Sequence, residues 1–253
     1  MPLLGDTGHS DMVDTLKQMT KRIPRPSAIL VISAHWEAQV ATITSGPAPS
    51  LIYDYNGFPE EAYQLQYPSL GQPELAQKIY QSIVQAGIEA RLDDQRGYDH
   101  GLFVPLTIMY PEADIPCVQL SLLDSLDADV HLALGKALQA LEWENLLVLG
   151  SGFSFHNMRA FFEASMDDGN VKNQAFEQWL QAILTDKTIS EEQRTQLLGQ
   201  WYQAPQARFC HPREEHLLPL HTCYGLAGRA SDELFTTTVL GKQASMYLWQ
   251  ARG

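Results

Sequence analysis

The stretch Ala28-Ile29-Leu30-Val31-Ile32-Ser33-Ala34-His35-Trp36 decides the fold. Its apolar run, 28–33, is what a strand buried on both faces needs, and such strands occur where helices cover both sides of a parallel sheet. His35 and Trp36 follow at the C-terminal end, where open α/β sheets place their ligand crevice. The runs 117–122 and 146–150 have the same character, and all three are expected as central strands. Residues 40–44 read as a further strand and 88–92 as an edge strand. Helical spacing separates them. It predicts a helix over 11–21 capped by Ser10, one over 73–86 ended by Gly87, and others over 102–110, 128–141, 172–184, 190–198 and 213–226. The segments 234–239 and 245–249 predict a hairpin around Gly241. Together these imply one α/β domain over 1–253, with a largely parallel central sheet, helices on both faces and some antiparallel strands near the C-terminus.

Composition bounds the function. The chain has 253 residues, 45% hydrophobic, enough for a real core. A net charge of −13 argues against a nucleic-acid partner and against an anionic membrane surface. Three cysteines without a C-x-x-C pair argue against a disulfide framework or a zinc knuckle, and Cys117 reads as plain core. With no basic segment leading an apolar stretch, and no run of membrane-spanning length, the chain reads as cytoplasmic.

Four of the eight histidines stand in distinct local phrases. They are His35 after the first strand, His100 in Tyr98-Asp99-His100-Gly101, His156 in Ser154-Phe155-His156-Asn157, and His216 in Glu214-Glu215-His216-Leu217. Neutral imidazole is the commonest ligand of a borderline divalent metal and titrates near neutral pH. Any one of them alone is an ordinary polar residue. Delivered jointly to strand ends and a helix start, they fit a mononuclear metal site whose reaction the residues do not name. Glu214 and Glu215 bring carboxylates beside His216, and Asp99 is placed to orient or charge His100. His131 reads as a surface or half-buried helix residue. His9 and His221 have no chemical context, and His211 is a loop residue near the site at most.

Other motifs fail. Gly150-Ser151-Gly152 lacks the third glycine of a dinucleotide fingerprint, since Phe155 stands there. It is no nucleophile elbow, since Val148 and Leu149 precede Gly150. There is no phosphate loop and no H-E-x-x-H. The two glycines are expected to let the backbone turn tightly at a strand end.

Read in order, the phrases resemble the class III extradiol ring-cleavage dioxygenases, closest to the 4,5-DOPA extradiol type. The resemblance runs through Pro24-Arg25-Pro26 into the first strand and Ser33-Ala34-His35-Trp36, then Tyr55-Asn56-Gly57-Phe58-Pro59 and Gly97-Tyr98-Asp99-His100-Gly101. It continues through Met109-Tyr110-Pro111 to Ser121, then Gly150-Ser151-Gly152, His156-Asn157-Met158-Arg159 and Glu215-His216-Leu217-Leu218-Pro219. It covers nearly the whole chain.

The resemblance implies a non-haem Fe(II) enzyme, with zinc sometimes found in purified protein. It implies His35 and His216 as ligands, with His156 at or beside the metal, and His100 as the histidine that faces substrate. His100 and His156 are the acid/base candidates; whether His156 ligates or transfers protons stays open. The implied substrates are a DOPA-like catechol and O2. Oxygen enters beside the two hydroxyls and opens the ring to a hydroxymuconic semialdehyde. Tyr53, Tyr55, Phe58 and Trp36 would wall the ring, or simply pack the core. His35, His156 and His216 are expected to face one cavity, with His100 at its rim.

Members of the family begin with a strand ending in a His-Gly-Gly-Gly or His-Gly-Ser phrase, whose histidine is the first ligand. Here Met1-Pro2-Leu3-Leu4-Gly5-Asp6 resembles the segment just after it. The expectation is therefore an N-terminally shortened domain without that strand and ligand, binding Fe(II) or Zn(II) poorly. His9 does not stand at the matching place. Two other readings remain: an inactive or non-enzymatic protein resembling the Memo-type phosphopeptide binders, and a zinc-dependent hydrolase that needs no O2.

Overall fold

Strand β1 spans Ala28–Ala38, and Ala28 to Ile32 are wholly buried. The computed structural model describes residues 2–162 and 168–251. Alternate side chains of β1 enter opposite layers. Ala28, Leu30 and Ile32 join one apolar cluster, Ile29 and Val31 the other. The other strands are β2 (Ala41–Thr44), β3 (Ala90–Asp93), β4 (Cys117–Leu123), β5 (Leu146–Ser151), β6 (Glu233–Val239) and β7 (Lys242–Leu248). The main sheet has the order β3-β2-β4-β1-β5, and β1 pairs in parallel with both β4 and β5. β2 pairs in parallel with β3 and meets β4 antiparallel through Ile43 and Leu120. β6 and β7 form a separate antiparallel hairpin.

The helices are α1 (Ser10–Thr20), α2 (Pro73–Gln85), α3 (His100–Met109), α4 (Ala128–Ala137), α5 (Met158–Phe162), α6 (Gly169–Thr185), α7 (Glu191–Gly199), α8 (Ala207–Cys210) and α9 (Leu218–Ala227). Residues of α1 and α3, such as Leu16, Leu102 and Phe103, cover the face of Ile29 and Val31. Residues of α2, α4 and α9, such as Ile79, Leu132 and Tyr224, cover the other. The expected class, an α/β domain with helices around a mostly parallel sheet and a small C-terminal antiparallel pair, is what the structure has. Among the described residues no helix is long and apolar enough to cross a membrane.

Four expectations need correction. β5 is the outer strand of the sheet, and all six of its residues are half-buried rather than buried. An apolar run reports burial against helices above and below, not how many strands lie beside it. The helix expected over 213–226 starts only at Leu218, with Pro219 in its first turn. Proline lacks an N–H and fixes its own φ, so it belongs at a helix start. Ser10 lies inside α1 rather than capping it, and its hydroxyl donates back to the Thr7 carbonyl. His131 is fully buried: Nδ1 donates to the Asp127 carbonyl at 2.7 Å and Nε2 accepts the Leu123 N–H at 3.1 Å.

Candidate active site

β1 does not end at Ser33; its ladder with β4 jumps there. Ser33 pairs with Ser121, and the next pair is Glu37 with Leu122. The intervening residues bulge off the ladder, which frees backbone groups and re-aims side chains. The freed His35 N–H donates to Ser33 Oγ at 3.1 Å, and that hydroxyl donates to Asp99 Oδ1 at 2.8 Å. His35 is thus presented from an anchored bulge within β1, not from a loop beyond it.

His100 was expected in a loop but opens α3. Asp99 caps that helix through the Gly101 N–H, at 3.0 Å. Its buried carboxylate also takes hydrogen bonds from Ser33, Gln119 and Arg96. Desolvation raises its pKa against those bonds. Asp99 therefore does not orient His100, as adjacency suggested. Asp54 does: His100 Nδ1 lies 2.7 Å from Asp54 Oδ1, which also accepts the His100 backbone N–H at 3.0 Å. Gly101 lets α3 approach β1, since a Cβ there would stand 2.3 Å from Ser33 Oγ and 3.1 Å from the His35 ring.

His156 and His216 come from the chain after β5 and before α9. The Phe153 N–H donates to the His216 carbonyl at 2.9 Å, and the His156 N–H to the Cys210 carbonyl at 3.0 Å. Asn157 starts α5 by accepting the Ala160 N–H and donates to the Phe209 carbonyl. Gly150 and Gly152 make no left-handed turn. They give room instead: a Cβ would lie 2.9 Å from the Pro219 carbonyl oxygen at Gly150, and 2.2 Å from that of His216 at Gly152.

The four imidazoles meet. Ring centroids lie 3.8 Å apart for His35 and His100, 5.0 Å for His35 and His216, and 3.3 Å for the parallel rings of His156 and His216. Glu215 Oε1 is 3.2 Å from His216 Nδ1 and 3.7 Å from His156 Nδ1. Arg213 grips Glu37 with both terminal nitrogens, at 2.5 and 2.6 Å, and reaches Glu215 at 3.3 Å, tying β1 to this segment. His9 is elsewhere, paired with Asp6 at 3.0 Å.

Burial, reinforced by neighbouring imidazoles, holds His35 down to about 3 and His156 down to about 3. Burial also lowers His216, against the pull of Glu215. Burial opposes ionisation of Glu215, but its bond to His216 and the nearby Arg213 charge hold it down to about 2. His35, His156 and His216 are therefore neutral imidazoles beside the Glu215 carboxylate at neutral pH, the protonation state that ligates a divalent metal. Among the described residues, two groups have donor atoms within 4.8 Å of one another: His35 with Asp54 and His100, and His156 with Glu215 and His216. The trio read from sequence, His35, His156 and His216, spans both groups through the His35–His216 contact.

Of the expected wall, Tyr55 stands edge-on to His100 at 5.4 Å and Phe58 packs on Tyr55 at 5.5 Å. Tyr53 packs on Phe103 and donates to the Leu65 carbonyl. Trp36 is buried beneath the Arg96 guanidinium, 4.2 Å from its ring. Phe153, which lies parallel to His216 at 6.3 Å, was not singled out in the sequence. Nor were Asp54, Glu37 and Arg213, whose partners are distant in the chain. A separate cleft of 330 Å³ lies at the C-terminal hairpin, but its Asp11 carboxylate is already taken by Thr237 and Thr238.

Behind His156 lies a buried polar group. His211, expected in a loop, is fully buried, and its Nε2 donates to the Ser154 carbonyl at 2.7 Å. The Ser154 hydroxyl accepts the Ser245 N–H at 2.8 Å, and Ser245 Oγ donates to Glu177. Burial pushes Glu177 up to about 7 despite hydrogen bonds from Ser154 and Ser245. Between its ordinary value of 4.5 and about 7, the folded protein holds a proton the unfolded chain has released. Glu177 thus favours folding at low pH and loses that contribution as pH rises through this window, by about 3 kcal/mol. Burial of His131 and His211, held down to about 4 and about 3, acts oppositely below 6.5. Urea midpoints of Glu177→Gln and the parent chain at about pH 5 and about pH 8 separate the two effects. The variant should gain on the parent at the higher pH; an equal difference at both would mean that Glu177 is not protonated in the fold.

Comparison with known proteins follows the same direction. Residues 6–246 match the family described as the catalytic LigB subunit of aromatic ring-opening dioxygenase. The chain is 39% identical over 266 residues to the dioxygenase tasH of Hapsidospora irregularis, covering 98% of this chain and 82% of that one. It is 40% identical to a 4,5-DOPA dioxygenase extradiol of Beta vulgaris, covering 82% and 75%. For the 4,5-DOPA dioxygenase extradiol of Escherichia coli K12 the identity is 34%, covering 87% and 79%. A crystal structure of an uncharacterized Escherichia coli K12 protein superposes with a TM-score of 0.73 at 28% identity, covering 93% and 91%.

Proposed function

This chain belongs to the catalytic LigB family of aromatic ring-opening dioxygenases, extradiol ring-cleavage enzymes, and on that premise we propose that it opens a DOPA-like catechol with O2 at an Fe(II) held by His35, His156 and His216. The observation that carries the reading is the meeting of four imidazoles beside two carboxylates, with burial keeping His35, His156 and His216 neutral.

The donor set fits the metal: nitrogen and oxygen ligands suit non-haem Fe(II) oxygenases, and zinc binds the same set. Bound Fe(II) would supply open positions for the catechol oxygens and O2 and would acidify the coordinated hydroxyl. The remaining work falls to side chains. His100, placed against His35 and edged by Tyr55, takes a phenolic proton and returns it as the ring opens. Tyr55 and Phe58 offer the ring an apolar wall. His156 is assigned to the metal and to proton transfer alike, and Zn(II) titration of His156→Gln separates the roles. A ligand loses affinity; an acid/base group loses turnover alone.

The test is anaerobic loading with Fe(II), addition of DOPA, then admission of isotopically labelled O2. The expected result is catechol-dependent O2 uptake and a product that carries both labelled atoms. Turnover of an ester or amide without O2 would instead mark a zinc hydrolase.

A further inference from the structure

Two acids flank His100 in this fold, and only one is free to act on it. Asp99 is spent on Ser33, Gly101, Gln119 and Arg96. Asp54 arrives from a distant loop because the chain around Leu51 lies alongside Tyr98: Ile52 N–H donates to the Tyr98 carbonyl and Tyr98 N–H to the Ser50 carbonyl, each at 2.7 Å. The neighbouring tyrosines hold that loop, Tyr53 and Tyr55 donating to the Leu65 and Ala62 carbonyls. One oxygen of Asp54 then meets both the backbone N–H and Nδ1 of His100, so the ring is fixed relative to the start of α3.

We propose that Asp54 is a positioning residue rather than a metal ligand: it accepts the hydrogen bond of the His100 Nδ1–H and so leaves Nε2 as the lone-pair nitrogen that meets the substrate hydroxyl. A carboxylate has no proton to give, so Nδ1 must donate, and in a neutral ring Nε2 is then the acceptor. Burial opposes ionisation of Asp54, but its bonds from the His100 ring and backbone outweigh this and hold it below the usual carboxylate range. The His35 ring, 3.8 Å from one side, and Tyr55, edge-on at 5.4 Å, limit rotation of the imidazole. Without Asp54 a histidine in this setting is free to carry its proton on Nε2, and that tautomer offers the substrate hydroxyl no lone pair at Nε2. The role in turnover rests on the catechol reading above; the tautomer does not.

The test uses three readouts on the full chain. Nitrogen-15 shifts of the histidine rings, with His100→Gln identifying the signals, report the tautomer in metal-free protein. Zn(II) titration reports ligation, and steady-state oxygen uptake on the Fe(II)-loaded protein reports turnover. In Asp54→Ala, His100 should shift from the Nδ1–H to the Nε2–H form, and kcat should fall about 10–100-fold with KM moving less than about threefold. Zn(II) affinity should stay close to that of the parent, because neither Asp54 nor His100 belongs to the proposed ligand set. A loss of Zn(II) affinity of about tenfold or more would make Asp54 a ligand and overturn the proposal. An unchanged tautomer would overturn it as well. A parent chain that shows the Nδ1–H form but no catechol-dependent uptake would remove the reaction and leave the tautomer assignment standing.

Discussion

His216→Ala is expected to lower divalent-metal affinity by more than about 100-fold and to abolish catechol-dependent O2 uptake. His216 is the hub of the cluster. Its ring stacks on His156 at 3.3 Å, approaches His35 at 5.0 Å and holds Glu215 at 3.2 Å. Removing an imidazole that is only 7% exposed also leaves a hole beside Phe153 and unseats Glu215 from one of its partners. Loss of a supporting partner alone costs about 10–100-fold in comparable metal sites, so loss of a ligand should exceed that. Calorimetric titration with Zn(II) and an oxygen electrode measure the two effects, and circular dichroism shows whether the fold survives. A folded variant that binds metal as tightly as the parent would exclude His216 from the ligand set.

Gly152→Ala should damage the same residue through the backbone. The added Cβ would stand 2.2 Å from the His216 carbonyl oxygen and 3.2 Å from Pro219 Cγ. The first is a backbone atom that already accepts the Phe153 N–H, so no flexible side chain can swing away. Overpacking of this kind costs about 1–3 kcal/mol, or a fall in Tm of roughly 2–4 °C per kcal/mol for a chain of this size. Relief requires His216 to move, and displacement of a reacting group by about 1 Å can cost about 100-fold in rate. Thermal melts and kcat/KM on the Fe(II)-loaded protein read both effects. A variant with parental Tm and rate would show that β5 and the segment before α9 slide apart freely.

Much of the frame was legible in local sequence. The runs at β1 and β4 announced buried strands because only a strand with helices on both faces tolerates unbroken apolar character. The hairpin of β6 and β7 was visible as two extended segments around Gly241. The start of α9 was misplaced at 213, although Pro219 is a local signal that puts it at Leu218. The lateral place of β5 was not legible, because apolar character does not record what lies beside a strand.

Sequence alone determined that this is an α/β domain presenting His35, His100, His156 and His216 near strand ends and helix starts. Those facts are properties of single segments: periodicity, capping residues and helix-breaking prolines act over a few neighbouring peptide units. Tertiary structure alone decided which groups meet. It bulged β1 at His35, gave His100 to Asp54 rather than to adjacent Asp99, and set Arg213 between Glu37 and Glu215. It also buried His131 and His211 and, through burial, set the charge of the histidines and of Glu177. The physical reason is that hydrogen bonding and desolvation depend on distances in space: His100 and Asp54 are 46 residues apart along the chain, Arg213 and Glu37 176.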